Sequence, residues 1–254
     1  MKVVILAGGY GTRISEETYN RPKPLVEIGS KPIIWHIMKY YSYFGFNEFI
    51  ICTGYKGHCF NEYFDNYLNH NSDVTYDISN NTKIVHNYNK ENWIVTIVQT
   101  GVDTMTGGRL LRIKDYINDN VFMLTYGDGL TNLNLHNLLD LHIKSKKIAT
   151  LSAVNPPARF GALNIVDNLV SNFKEKPTGI ESLISGGFFV FNKAIFSYLK
   201  DDNTILERLP LETLAFEGEL NAYIHDGFWQ SMDTLRDKIY LEECWKNNPQ
   251  WKLW

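Results

Sequence analysis
Cysteine is scarce in this chain, and the little present carries no pattern. Cys52, Cys59 and Cys244 are an odd number among 254 residues and show no C-x-x-C spacing. Neither a disulfide framework nor a zinc site is indicated, and a reduced, cytoplasmic protein fits best. No apolar run approaches the roughly eighteen residues a membrane span needs. The start lacks the charged, apolar and small-residue regions of a signal peptide, since a strand begins at residue 2. Positive charge is not in excess either: the net charge of −3 offers no basic face for nucleic acid. Internal repeats, low-complexity runs and Ser/Pro linkers are missing as well, so one domain over 1–254 is expected. At 44% hydrophobic residues, that domain can bury a large core.

What is present begins at the first residues, MKVVILAGGYGTRISEETYNRPKP. Lys2–Ala7 is a short β-branched apolar run of the kind that forms a fully buried strand. It runs straight into Gly8, Gly9, Tyr10, Gly11, Thr12 and Arg13. Three glycines in four positions allow positive φ and an inward-turned set of N–H groups, a concavity suited to a phosphate chain. Arg13 adds a fork of donors for phosphate oxygens. Lys23 sits between Pro22 and Pro24, which stiffen the segment carrying its ammonium. The spacing is not that of a P-loop, because no Lys follows Gly11. It is not a dinucleotide fingerprint either, because Ile14 stands where the third Gly would be.

G-G-x-G-T-R followed by R-P-K-P-L-V resembles the sugar-phosphate nucleotidyltransferases, and the longer run KPLVEIGSKPIIWHIM at 23–38 is similar to their glucose-1-phosphate cytidylyltransferase branch. The resemblance implies an α/β fold: a Rossmann-like, mostly parallel mixed sheet flanked by helices, GT-A-like, with a smaller acceptor-binding lobe. The nucleotide part would occupy about 1–130, the acceptor part about 131–233 and a C-terminal helix about 234–254. The implied nucleotide contacts are Leu6, Ala7, Gly8, Gly9, Gly11, Thr12, Arg13, Lys23, Thr106 and Gly107.

Strand and helix patterns alternate along the rest of the chain, which argues for a parallel sheet. Helices are expected at 31–43, 58–68, 106–117, 206–217, 234–246 and Leu135–Ser145. Strands are expected at Glu48–Thr53, 95–100, 120–126, Ala149–Val154, 170–177, 183–191 and Leu220–His225. The polar stretch 73–89 reads as a hairpin or excursion covering the site, with a turn at Asn80-Asn81. His36 falls inside a helix and reads as a packed or surface histidine. The aromatic tail, 247–254, is expected against a neighbouring subunit, and a homo-oligomer follows by analogy with the family.

Asp128, between Gly127 and Gly129, ends a central strand and so points into the crevice where open α/β sheets bind ligands. Asp233 lies at the start of the last helix, where it can serve as a cap. The family assigns both aspartates to a catalytic Mg2+. Asn132 and Asn134 stand where many relatives carry acids. Arg109 in T-G-G-R, Gly161, Glu175 and Lys176 in the E-K-P run, and Ser185 are the implied acceptor contacts. Ala158, Ser185 and Ser231 depart from the family's usual Gly, Asn and Pro.

The implied reaction is transfer of CMP from CTP to a phosphorylated acceptor, with release of pyrophosphate. The nucleophile is already an anion, so alignment and charge neutralisation suffice. Arg13, Lys23, Asp128 and Asp233 are the expected catalytic residues. Glucose 1-phosphate is one acceptor. The three departures leave open a non-sugar acceptor such as phosphoglutamine, and a catalytically silent nucleotide sensor on the same fold is the alternative of another class. The base rests on the resemblance alone.

Overall fold
A computed structural model describes residues 1–87, 91–156, 162–166, 169–174 and 183–254, and for 162–166 and 169–174 the backbone only. Its centre is a seven-stranded sheet. In chain order the strands are β1 (Lys2–Ala7), β2 (Glu48–Thr53), β3 (Ile94–Gln99), β4 (Val121–Tyr126), β5 (Ala149–Val154), β6 (Ile184–Asn192) and β7 (Leu220–His225). They lie side by side as β7-β5-β6-β4-β1-β2-β3. β4, β1, β2 and β3 run parallel, as do β5 and β7, while β6 is antiparallel to both its neighbours. Strands from both the 1–130 and 131–233 stretches thus share one sheet.

Alternation along β1 shows why this sheet needs cover on both faces. Val3 and Ile5 belong to one apolar cluster with Ile37, Met38 and Tyr41, whereas Val4 and Leu6 belong to another with Leu110, Ile113 and Phe122. Every one of these side chains is buried. A strand covered on both faces reads as a continuous apolar run, which is what residues 2–7 show. The covering helices are α1 (Ile33–Tyr43), α2 (His58–Asp65), α3 (Thr106–Arg112), α4 (Leu135–Ser145), α5 (Leu209–Phe216) and α6 (Leu235–Asn247).

The reversal of β6 matters for function. It brings the beginning of β6 to the same edge as the carboxyl ends of β1, β2, β3 and β4. That edge therefore collects the turn after β1, the loop after β3, Asp128 after β4, and Ser185 with Gly186 from β6. A short strand pair, Gly129–Thr131 with Trp229–Ser231, then carries the chain back so that Asp233 returns to Asp128.

Several expectations are corrected here. The 73–89 stretch does form a hairpin, Asp73–Asp77 with Thr82–His86, but its described residues do not line the cleft at the sheet edge. Asp233 does not cap α6. Thr234 is the cap, accepting from Asp237 N, while the Asp237 side chain accepts from Thr234 N in a reciprocal capping box. Within the tail, Trp251 turns inward and is wholly buried against Phe228, Trp245 and His36. Asn134 caps α4, and Asn132 Oδ1 accepts from Phe228 N at 2.8 Å, so both serve local folding.

Candidate active site
A cleft of about 750 Å3 opens along the sheet edge. That is ample for a nucleotide and a small acceptor together. Its floor begins where β1 ends. Leu6, Ala7, Gly8, Gly9, Gly11, Thr12 and Arg13 all line it. The glycines act differently from one another, however. Only Gly11 in this turn takes the left-handed conformation, with φ 67°. Gly8 is required for room instead: a Cβ there would lie 2.1 Å from the Arg109 guanidinium. At Gly9 a Cβ would meet nothing within 4 Å, so the backbone is bare toward the cleft.

Lys23 enters from a one-turn 3-10 helix, Lys23–Leu25, with Pro22 just before it and Pro24 inside it. Only 9% of Lys23 is exposed. Its Nζ donates to Asp128 Oδ2 at 2.6 Å and to Asp233 Oδ1 at 2.7 Å. Arg13 reaches the same Asp233 Oδ1 at 2.8 Å, with its side chain 71% exposed. Two carboxylates remote in sequence thus converge on one ammonium, beside the glycine turn. Burial works against the ionised form of Asp233, but the Lys23 hydrogen bond and the charges of Lys23 and Arg13 outweigh it, so its carboxyl titrates below the ordinary range. Ser231 Oγ donates to Asp233 Oδ2 at 3.1 Å, and Asp233 N donates to Asp237 Oδ2 at 3.1 Å. The carboxylate plane is thereby set from both sides.

Arg109 lines the cleft, yet it is buried and its guanidinium is bound mostly to backbone carbonyls. Its Nη1 donates to the carbonyls of Thr53 and Gly101 and to Thr100 Oγ1, and its Nη2 donates to the carbonyls of Gly8 and Val102. The guanidinium therefore ties together the turns that follow β1, β2 and β3. Burial lowers its pKa. Thr106 lines the cleft, but its hydroxyl donates to Glu207 Oε2 at 2.6 Å. Gly107 is not in the cleft: it packs on Thr204, where a Cβ would come within 2.8 Å of a backbone oxygen. Ser185 does line the cleft, with Gly186, Gly187 and Trp229. Gly161, Glu175 and Lys176 lie outside the described residues, as does Ala158.

Sequence reasoning missed Asp103, Tyr126 and Trp229 as cleft residues. Asp103 follows β3 at its carboxyl end, a position the sheet-edge rule marks out. Tyr126 hydrogen-bonds to Glu207, and burial, with Glu207 adding to it, holds its hydroxyl firmly protonated. Trp229 Nε1 donates to Gly186 O at 2.7 Å, closing the β6 end of the cleft.

A phosphate-sized turn, a lysine bridging two aspartates and a cleft along the sheet edge can be compared with known proteins. The family model "Nucleotidyl transferase" matches residues 2–230. The chain belongs to that family. It is 54% identical over the full length of both proteins to "Glucose-1-phosphate cytidylyltransferase" of Salmonella typhi. It is 46% identical, again end to end, to "Probable glucose-1-phosphate cytidylyltransferase" of Bacillus subtilis. Among solved structures, HddC from Yersinia pseudotuberculosis superposes with a TM-score of 0.69 at 23% identity, covering 96% of this chain and 99% of that one. A UDP-glucose pyrophosphorylase complexed with UDP-glucose gives 0.68 at 19%, covering 96% and 98%. These two likenesses establish the fold. The enzyme's cleft is open at the edge where the parallel strands end. No helix among the described residues is long and apolar enough to cross a membrane.

Proposed function
We propose that this enzyme transfers CMP from CTP to α-D-glucose 1-phosphate, forming CDP-glucose and releasing pyrophosphate. The observation that carries the reading is the meeting of Asp128 and Asp233 on the Lys23 ammonium beside the glycine turn. Full-length similarity to glucose-1-phosphate cytidylyltransferases supports both CTP and the sugar. By the family resemblance, the enzyme works in the cytoplasm as a homo-oligomer and supplies CDP-glucose for surface polysaccharide.

In the reaction a phosphate oxygen of the acceptor attacks the α-phosphorus of CTP, and the bond from that phosphorus to the bridging oxygen breaks. The electron pair leaves with pyrophosphate. No protein nucleophile is called for, and Cys52 is unsuited to be one, since burial pushes its thiol up to about 12. Arg13, mostly exposed at the mouth, faces the departing pyrophosphate. Lys23 contributes a fixed positive charge at the α-phosphate. Bare backbone at Gly9 lets the triphosphate approach the turn closely.

The pair Asp128 and Asp233 also fits a divalent cation. Both donors are hard oxygens, already converging on a cation, and no third His, Cys, Asp or Glu joins them among the described residues. An ion held by two carboxylates would complete its shell with phosphate oxygens and water, the habit of Mg2+. When bound, Mg2+ supplies charge neutralisation at the phosphates.

The test is pyrophosphate release with CTP, UTP, GTP and ATP, each crossed with glucose 1-phosphate, other sugar 1-phosphates and phosphoglutamine. Release is expected with CTP and glucose 1-phosphate. Equal release with another triphosphate, or with phosphoglutamine in place of the sugar, overturns the corresponding half.

A further inference from the structure
The cleft holds a third carboxylate, Asp103, that the charge chemistry above leaves unused. Its place in the fold says what it meets. β4 carries Asp128 at its end, and β1, β2 and β3 follow in order on one side. At about 4.8 Å between neighbours, the end of β3 lies roughly 14 Å from that of β4. On the other side of β4 stands β6, whose Ser185 and Gly186 share the cleft with Trp229. With the reacting phosphates at the ends of β4 and β1, the acceptor takes the β6 side. The nucleoside then extends toward β3, and its base arrives at the loop holding Asp103.

That loop is built to hold a side chain still. Arg109 bonds the carbonyls of Gly101, at 2.6 Å, and Val102, at 3.1 Å. Met105 N donates to Asp202 O at 2.8 Å. The carboxylate itself is held through one oxygen: Tyr10 Oη donates to Asp103 Oδ1 at 2.7 Å. Tyr10 in turn rests against Tyr55, ring centres 5.3 Å apart. Both Tyr10 and Asp103 line the cleft.

An ionised carboxylate only accepts hydrogen bonds. Cytosine presents an exocyclic amino group, a donor, where uracil and thymine present a carbonyl oxygen, an acceptor. The same oxygen of Asp103 that attracts the first repels the second. We propose that Asp103, steadied by Tyr10, selects cytosine over uracil by accepting from the exocyclic amino group through its Oδ2. This inference rests on the reading that the site takes CTP.

Asp103→Asn offers a test that keeps size and surface unchanged. Tyr10 still donates to the amide oxygen, which leaves the amide NH2 facing the base. The site then offers a donor where it offered an acceptor. The experiment measures kcat/KM and equilibrium binding for CTP and UTP with wild type, Asp103→Asn and Tyr10→Phe, with thermal unfolding as a check. In Asp103→Asn the CTP:UTP ratio should fall about a hundredfold or more, because a polar site strongly rejects the ligand lacking its partner. In Tyr10→Phe it should fall roughly severalfold, since the carboxylate remains but is no longer held. A wild type without preference for CTP overturns the functional reading itself. A wild type that prefers CTP, with an unchanged ratio in Asp103→Asn or equal losses on both nucleotides, overturns the role of Asp103 alone.

Discussion

Lys23 and His36 are both cut off from solvent and joined by one short segment, yet they meet burial in opposite ways. Lys23 lies in the turn Lys23–Leu25 and is paired with both Asp128 and Asp233. His36, in α1, is wholly buried. Its Nε2 donates to Ile28 O at 2.8 Å, while its Nδ1 accepts from Trp251 Nε1 at 3.3 Å. Around it stand the rings of Trp35, Trp245, Trp251 and Trp254. Burial pushes its pKa down to about 4, and the ring is neutral. Depth alone does not decide whether a charge survives. An ammonium facing two carboxylates is stabilised as an ion, and an imidazole facing a carbonyl and indoles is stabilised as a neutral ring. The two clusters also cooperate. The bond to Ile28 fixes the strand that directly follows the turn carrying Lys23.

The strongest way to break the charged member of this pair is to remove one of its ions. Lys23→Ala leaves two carboxylates facing one another, and Asp233→Asn removes the anchor shared by Lys23 and Arg13. Either change should lower kcat by roughly two to three orders of magnitude, the usual loss when an electrostatic stabiliser is deleted. Thermal unfolding at neutral pH should stay cooperative for both. Full turnover in either variant would refute the assignment.

The neutral member predicts a pH effect of the opposite origin. In the unfolded chain a histidine takes its proton near 6.5, whereas folded His36 does so only near 4. Between those values the unfolded state binds more protons, so folding stability falls as pH falls. At 1.36 kcal/mol per pH unit, the total loss is about 3 kcal/mol. His36→Phe cannot show this loss. The urea-unfolding free energy of wild type should therefore drop by about 3 kcal/mol relative to His36→Phe on going from pH 7 to pH 4. A constant difference would mean that folded His36 is protonated as readily as the unfolded one.

How far the sequence shows these features differs between the two clusters. Local pattern locates the sheet well. β2, β5, β7 and α4 begin and end where their apolar runs and flanking turn residues say. The glycine turn and Lys23 stand out from spacing and from the flanking prolines. The convergence of Asp128 and Asp233 is different: the family resemblance implies it, and no local pattern links residues that far apart. Choices between adjacent residues are also invisible. Asp233 and Thr234 can each cap a helix. The structure gives the cap to Thr234 because the Asp233 side chain is drawn to Lys23, 210 positions away. The partners of Arg109 are hidden in the same way: nothing near the helix start points to them, and only the assembled sheet edge brings carbonyls of three turns to it. His36 is legible as packed, but its partner Trp251 belongs to a tail whose inward course depends on the whole back face.

The finest probe of the contrast is Ser231, which touches the charged cluster without carrying charge. Its hydroxyl donates to Asp233 Oδ2, while Lys23 and Arg13 hold Oδ1. If the carboxylate were fixed wholly by its ion pairs, Ser231→Ala would be silent. A hydrogen bond to a charged group is worth about 1.5–3 kcal/mol at most, and two cations already restrain this one, so the loss should be smaller. A fall of roughly three- to tenfold in kcat/KM is expected for Ser231→Ala. Ser231→Thr should restore activity by restoring the hydroxyl. The dependence on Mg2+ concentration should shift to higher values in Ser231→Ala, because the orientation of a ligating carboxylate tunes its affinity for a metal. Lost activity in Ser231→Thr as well would instead point to packing around the side chain, and would leave the orientation of Asp233 to Lys23 and Arg13 alone.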